Sequence, residues 1–167
     1  MKIITIAVKS DEKFLRQKAV PFDFSQHGKK EVNELISRMR RDMMAAEGIG
    51  LAANQIGLNF SVFVARVPDK DGRMKFYALF NPEIEKKSAE KIDYEEGCLS
   101  VPKVFGSVER PEKITLVGQD KNGGKVKFKA WGLLARVFQH EVDHLDGVLF
   151  IDKAKKVHTI NIQDQDN

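Results

Sequence analysis

The chain has 167 residues, 42% of them hydrophobic, and a formal net charge of +4, which suits one domain with a core of ordinary size and therefore a single functional site. Its one cysteine, Cys98, excludes an intrachain disulfide, and its charges are interspersed apart from short runs such as Lys153 to Lys156, so nothing demands a nucleic-acid partner. The apolar stretch from Ile3 to Val8 is too short for a signal segment, and no segment approaches membrane-spanning length, which points to a cytoplasmic protein without a membrane partner.

With no internal repeat, low-complexity tract or dividing linker, residues 1–167 read as one domain. Residues 29 to 46, KKEVNELISRMRRDMMAA, place Val32, Leu35, Ile36, Met39, Met43 and Ala46 at three- and four-residue spacings, the stripe of an N-terminal amphipathic helix. Residues 47 to 57, EGIGLAANQIG, follow. Gly48, Gly50 and Gly57 let backbone approach something closely, and Ala52 and Ala53 leave little bulk in the way. The stretch lacks the Lys and Ser/Thr of a phosphate loop; it reads either as a plain helix-to-strand connection or as part of a site, where Gln55 offers an amide donor for an oxyanion.

Strand signals then dominate to about residue 130: SVFVARV, KFYALF, KIDYEEG, KITLVGQD and KVKFKAW, the last two joined by the hairpin turn Lys121 to Gly124. In YEEGCLSVP, Gly97 lets the backbone turn and Pro102 helps to end the segment. A second helix is expected from about Leu133 to Leu145, stopped at Asp146 and Gly147. The class is α+β, with antiparallel sheets packed around a central helix.

That second helix contains QHEVDHLDG, residues 139 to 147. His140 and His144 are one turn and about 40° apart around the axis, so both imidazoles can reach one point, a bidentate metal grip. Glu141 lies about 100° round from His140, placed as a general base toward a water on that metal. By chance a given H-E-x-x-H arises in a chain this long on the order of once in a few hundred sequences. Leu133, Leu134, Val137, Phe138 and Leu145 mark the helix as buried, where unpartnered ionisable groups are costly. Taken alone, Cys98 reads as an inert buried thiol. Beside H-E-x-x-H it becomes the third ligand of a tetrahedral site with one open position.

The segments GIGLAANQ at 48 to 55, EGCLS at 96 to 100 and QHEVDHLDG at 139 to 147, in this order, resemble peptide deformylase. The similarity extends through LRQKA at 15 to 19 and NPEI at 81 to 84, and so covers most of the chain up to Phe150. It implies a bacterial-type enzyme that removes the formyl group from N-terminal formylmethionine, with N-formylmethionyl nascent peptides as partners. The resemblance makes Cys98, His140 and His144 ligands of one divalent metal ion, Fe(II) in first place and Zn, Ni or Co as alternatives. It makes Glu141 base and then acid, with the Gln55 amide and the Leu99 N–H as oxyanion donors. Ile49 and Gly50 would pair with the substrate main chain, and an apolar pocket of Ile49, Tyr94, Leu133 and Val137 would take the methionine side chain.

Two departures accompany the match. Where many members carry a backbone-holding arginine, this chain has Phe105, which opens the question of contacts downstream of the methionine. Where many end in a basic helix implicated in ribosome docking, this chain ends KAKKVHTINIQDQDN, whose Val157, Thr159, Ile160 and Ile162 favour a strand. Transient ribosome contact then stays open, without that route. A strand over 157 to 162 should bury alternate side chains and stay clear of the chemistry. The alternatives are an H-E-x-x-H peptidase, whose third ligand would be His158 or Asp152, and a non-catalytic metal-binding module, for which Glu141 has no use.

Overall fold

Two antiparallel sheets and three helices make up residues 3–160, which the computed structural model describes. A short helix α1 (Lys9–Leu15), absent from the sequence expectations, precedes α2 (Lys29–Ala45). The stripe read in the sequence is the buried face of α2: Val32, Met39 and Met43 pack with Leu51, Val62, Val64 and Phe80.

The chain then enters β1 (Gly50–Ala52), a short 3-10 turn over Ala53–Ile56, β2 (Val62–Pro68) and β3 (Met74–Lys87). These strands form a five-stranded sheet with β6 (Lys113–Gln119) and β7 (Lys125–Trp131) in the order β1-β2-β3-β6-β7. The nearly continuous apolar run of β2 follows from its position: α2 covers one face, while α3 (Gly132–Leu145) covers the other through Phe138, Val142 and Leu145 against Phe63, Leu79 and Leu116. Phe138 is fully buried, so trimming it to alanine would cost about 3–5 kcal/mol.

The second sheet has the order β4-β5-β8, from β4 (Lys91–Cys98), β5 (Val101–Pro111) and β8 (Val157–Thr159). Pro102 does not end the segment; it lies just inside β5, a strand the sequence reading lacked. The register explains how: Cys98 pairs with Val101 and Gly97 with Phe105, so residues 102–104 bulge out and no ladder N–H is required of the proline. Lys103 in that bulge has a left-handed φ of 63°.

The tail pairs with β5 through Val104↔Thr159, Phe105↔His158 and Gly106↔Val157, and the Ile160 N–H donates to the Lys103 carbonyl at 3.0 Å. It is therefore a strand at a sheet edge. Its side chains do not alternate in burial, however: Val157, His158 and Thr159 are all exposed. Residues 161 and 162 of the expected strand lie outside the described residues.

Candidate metal centre and cleft

One turn of α3 brings the His140 and His144 rings to 4.9 Å between centroids. Cys98 ends β4, and the tight Leu99–Ser100 turn aims its thiol at the helix, 3.1 Å from His144 Nε2. One ligand atom from each of the three lies within 4.8 Å of the others, the only such cluster of three or more among the described residues. A thiolate with two imidazoles suits a transition-metal dication.

The electrostatics fit the same cation. Burial pushes the Cys98 thiol up, but His144 and His140 outweigh it and hold the thiol well below its ordinary 9.0. Burial pushes His140 down, but its hydrogen bonds to Cys98 and Glu96 and the charge on Cys98 hold it at about 10. The pocket thus favours a thiolate beside positive charge, a demand that a bound cation meets in the proton's place.

Glu96 orients the candidate ligand His140, and the sequence reading missed it. Its carboxylate meets His140 Nδ1 at 3.0 Å, which leaves Nε2 for a metal. It also accepts from Arg110 Nε at 2.6 Å and Nη2 at 2.9 Å, and from Arg136 Nη1 at 2.6 Å. Burial raises its pKa, yet Arg110 and His140 hold it well below the usual carboxylate range. Asp143 completes the group by accepting from Arg110 Nη1 at 2.7 Å. Period-two alternation from Cys98 would have found Glu96; Arg110 lies in the unrecognised β5 and had no such signal.

Glu141 is 3% exposed, and its Oε2 has no hydrogen-bond partner among the described residues. Burial raises its pKa to about 7 against the opposing charges of His140 and His144. Its Oε1 lies 2.2 Å from where a Cβ on Gly50 would be, so Gly50 alone makes room for the carboxylate. Gly57, by contrast, serves conformation, with φ 77° and open space around it.

Gln55 is buried, with Oε1 accepting from the Ala52 N–H at 2.9 Å and Nε2 donating to Ser100 Oγ at 3.1 Å and toward Cys98 Sγ at 3.6 Å. The Ile49 carbonyl is committed inward, to the Arg66 N–H at 2.8 Å. By strand alternation the N–H and C=O of Gly50 therefore face the open edge of the sheet.

A cleft of about 540 Å³ opens over these groups, with Ile49, Gly50, Leu99, Phe105, Leu133 and Val137 among its lining residues. Tyr94 is not in its lining. It shares a strand face with Cys98 but lies four residues away, about 13 Å along β4. There it is 63% exposed, with the Arg136 guanidinium 5.3 Å above its ring. His158 and Asp152 do not join the ligand cluster: His158 lies 3.5 Å from Glu95, and Asp152 accepts from the Leu149 N–H and from Arg16.

The chain resembles known proteins in sequence and in fold. The model of the family described as polypeptide deformylase matches residues 4–159. The chain is 41% identical over 161 residues to a peptide deformylase of Symbiobacterium thermophilum, covering 96% of this chain and 71% of that one. It is 42% identical over 153 residues to one of Syntrophomonas wolfei, covering 89% and 91%. Among solved structures, a probable peptide deformylase from Synechococcus phage S-SSM7 superposes with TM-score 0.81 at 43% identity, covering 92% of this chain and 99% of that one. A peptide deformylase from Synechococcus elongatus in complex with actinonin gives 0.83 at 36% identity, covering 93% and 81%.

Proposed function

This chain belongs to the polypeptide deformylase family, and from that membership we propose how its cleft carries out the family's reaction. The protein is a metal-dependent hydrolase that removes the N-formyl group from newly made polypeptides and releases formate. The observation that carries the assignment of roles is Glu141, buried, unpaired at Oε2 and raised to about 7. Such a carboxylate can take a proton in one step and return it in the next.

Cys98, His140 and His144 would hold the divalent cation, to which we assign Fe(II). When bound, the cation supplies Lewis-acid polarisation of the formyl carbonyl and makes the attacking water more acidic. Glu141 accepts the proton from that water and delivers it to the departing amine nitrogen, which leaves formate and a free amino terminus. Gln55 Nε2, directed toward Cys98 Sγ, and the Leu99 N–H stabilise the oxyanion that develops beside the thiolate. Loss of one such donor costs about 3 kcal/mol of barrier.

Gly50, with its backbone groups facing the open sheet edge beside Ile49, pairs with the substrate main chain as an added strand would. The methionine side chain enters the apolar part of the cleft at Ile49, Leu133 and Val137. The substrates are formylated nascent peptides, and we place the enzyme in the cytoplasm, in transient contact with the ribosome and with no dedicated nucleic-acid or membrane site. No helix of the described residues is long and apolar enough to cross a membrane.

The test is formate release from a formyl-Met peptide, with metal analysis of protein purified without oxygen. Glu141→Gln should keep its metal and lose nearly all turnover, while Cys98→Ala should lose the metal. An active Glu141→Gln protein, or a metal-filled Cys98→Ala protein, would contradict these roles; a predominant metal other than iron would overturn the choice of ion.

A further inference from the structure

The N-terminal segment crosses between the two elements of the proposed oxyanion site. The Ile4 N–H donates to the Gln55 carbonyl at 2.9 Å, and two residues further on the Ile6 N–H donates to the Ser100 carbonyl at 3.0 Å. Gln55 belongs to the 3-10 turn Ala53–Ile56 that follows β1, whereas Ser100 belongs to the Leu99–Ser100 turn between β4 and β5. The segment therefore joins the two elements that carry the proposed donors, and those elements extend from different sheets. Side chains anchor it on both: Ile3 packs on the cluster that contains Leu51, Ala53 and Ile56, and Ile6 packs on the cluster that contains Val101 and Phe150.

A second link between the same elements is a side chain with another task. The Gln55 amide nitrogen carries two hydrogens. It donates to Ser100 Oγ at 3.1 Å and is directed toward Cys98 Sγ at 3.6 Å, the side on which it would meet the oxyanion. A link made by that amide alone would shift as one of its hydrogens turned from the thiol to the developing charge. Ile4 and Ile6 hold through backbone groups that take no part in the reaction. Two residues of chain span at most about 7 Å, so the Gln55 and Ser100 carbonyls cannot drift apart while both bonds hold. Ser100 is also fixed through its own N–H, which donates to Cys98 Sγ at 3.4 Å.

We propose that Ile4 and Ile6 are positioning residues for the reaction: their backbone N–H groups fix the turn that carries Gln55 and the turn that carries Leu99 relative to each other, so that the two donors converge on one oxygen. This rests on the deformylase reading of the cleft. Donors held in place in advance stabilise a developing charge more than donors gathered during the reaction, because nothing has to reorganise as the charge appears. The contribution of the segment therefore lies in kcat. Substrate binding at Gly50 and metal binding at Cys98, His140 and His144 do not depend on it.

The experiment replaces residue 4 or residue 6 of the metallated full-length protein by its α-hydroxy acid, which puts an ester oxygen where the N–H was and keeps the side chain. Metal content, and kcat and KM on formyl-Met-Gly-Gly, are then measured. Each ester should lower kcat about tenfold, less than the roughly 10²-fold to 10³-fold loss of a whole donor, with KM little changed and the metal retained. The same replacement at Val8, whose N–H closes a local turn on the Thr5 carbonyl at 3.2 Å, should leave kcat unchanged and reports the general cost of loosening the segment. In Gln55→Ala, which lacks the amide, the ester at residue 4 should have little further effect, whereas the ester at residue 6 should still act through Leu99. A rise in KM with kcat retained, loss of metal, equal effects of all three esters, or an undiminished loss from the residue 4 ester in Gln55→Ala overturns the proposal while leaving deformylation intact. If Gln55→Ala melts too low to assay, the kcat and KM of the single esters and the Val8 comparison still decide. No formate from the unmodified metallated protein overturns the deformylase reading and this proposal with it.

Discussion

An alanine at position 50 would put its Cβ 2.2 Å from Glu141 Oε1 and 2.8 Å from its Cδ. The conflict cannot be relieved without moving the carboxylate, whose Oε2 has no hydrogen-bond partner among the described residues and which we propose as the base. Gly50→Ala is therefore expected to keep its metal, since Glu141 is not a ligand, and to lose about 10²-fold in kcat, the scale set by a misplacement of about 1 Å. Formate release and metal content measured on the same sample check this; unchanged turnover would show that the carboxylate has room elsewhere. Gly48 reads alike in the sequence, but its one close conflict is with the flexible Leu99 side chain at 2.8 Å, the Gly50 and Met43 carbonyl oxygens lying at 3.4 and 3.5 Å, so its substitution should be milder. Spacing alone marked both glycines as places of close approach. What approached them could not be read, because Glu141 is 91 positions further along the chain.

α3 stops at Asp146, with Gly147 at φ 75° and its N–H on the His144 carbonyl at 3.1 Å. A Cβ there would come 2.4 Å from the Arg16 carbonyl oxygen, which is backbone and cannot swing aside. Gly147→Ala should cost roughly 1–3 kcal/mol, lowering the melting temperature by about 2–4 °C per kcal/mol for a chain of this size. A melting temperature within a degree of wild type would refute this account of the helix end. Both α2 and α3 were legible because each buries one face, and the resulting stripe repeats every three to four residues. β5 was not legible, since a strand that begins with a bulge, contains Pro102 and Gly106 and pairs on both sides shows no steady alternation. The tail was legible as a strand from its β-branched residues, but its burial was not, because an edge pairing can form through backbone alone. Of the candidate site, His140, His144 and Glu141 stood out by spacing, and Cys98 only as the single cysteine in a chain that carries them. Glu96, Arg110 and Arg136 did not, since ion pairs across a fold leave no local pattern.

At the scale of the molecule, the candidate metal ligands come from two layers: Cys98 from the three-stranded sheet, His140 and His144 from the helix that packs on the five-stranded one. A cation held by all three would tie the layers together, whereas Glu96 with Arg110, Arg136 and His140 ties them without it. Chelation should therefore lower stability without unfolding the protein, by about 2.7 kcal/mol for a sample held at free metal 100-fold above its Kd. Hydrogen exchange should rise more in β4 and β5 than in β2 and β3, which pack between α2 and α3 through apolar side chains and not through the candidate ligands. Equal loss of protection in both sheets would mean that the ion supports the whole fold, and no loss would mean that the ion pairs suffice.

The edge strand that would receive the substrate, β1, is only three residues long. A peptide can join such an edge only while its own N–H and C=O groups are unpaired and its first residues are extended. A new amino terminus meets that condition early and loses it once those residues enter a helix or sheet of their own. Removal of the formyl group is thus in a race with the folding of the client, and a protein whose first strand or helix closes quickly keeps its formyl group if the enzyme arrives late. A strand this short makes the enzyme sensitive to the age of a chain as well as to its end.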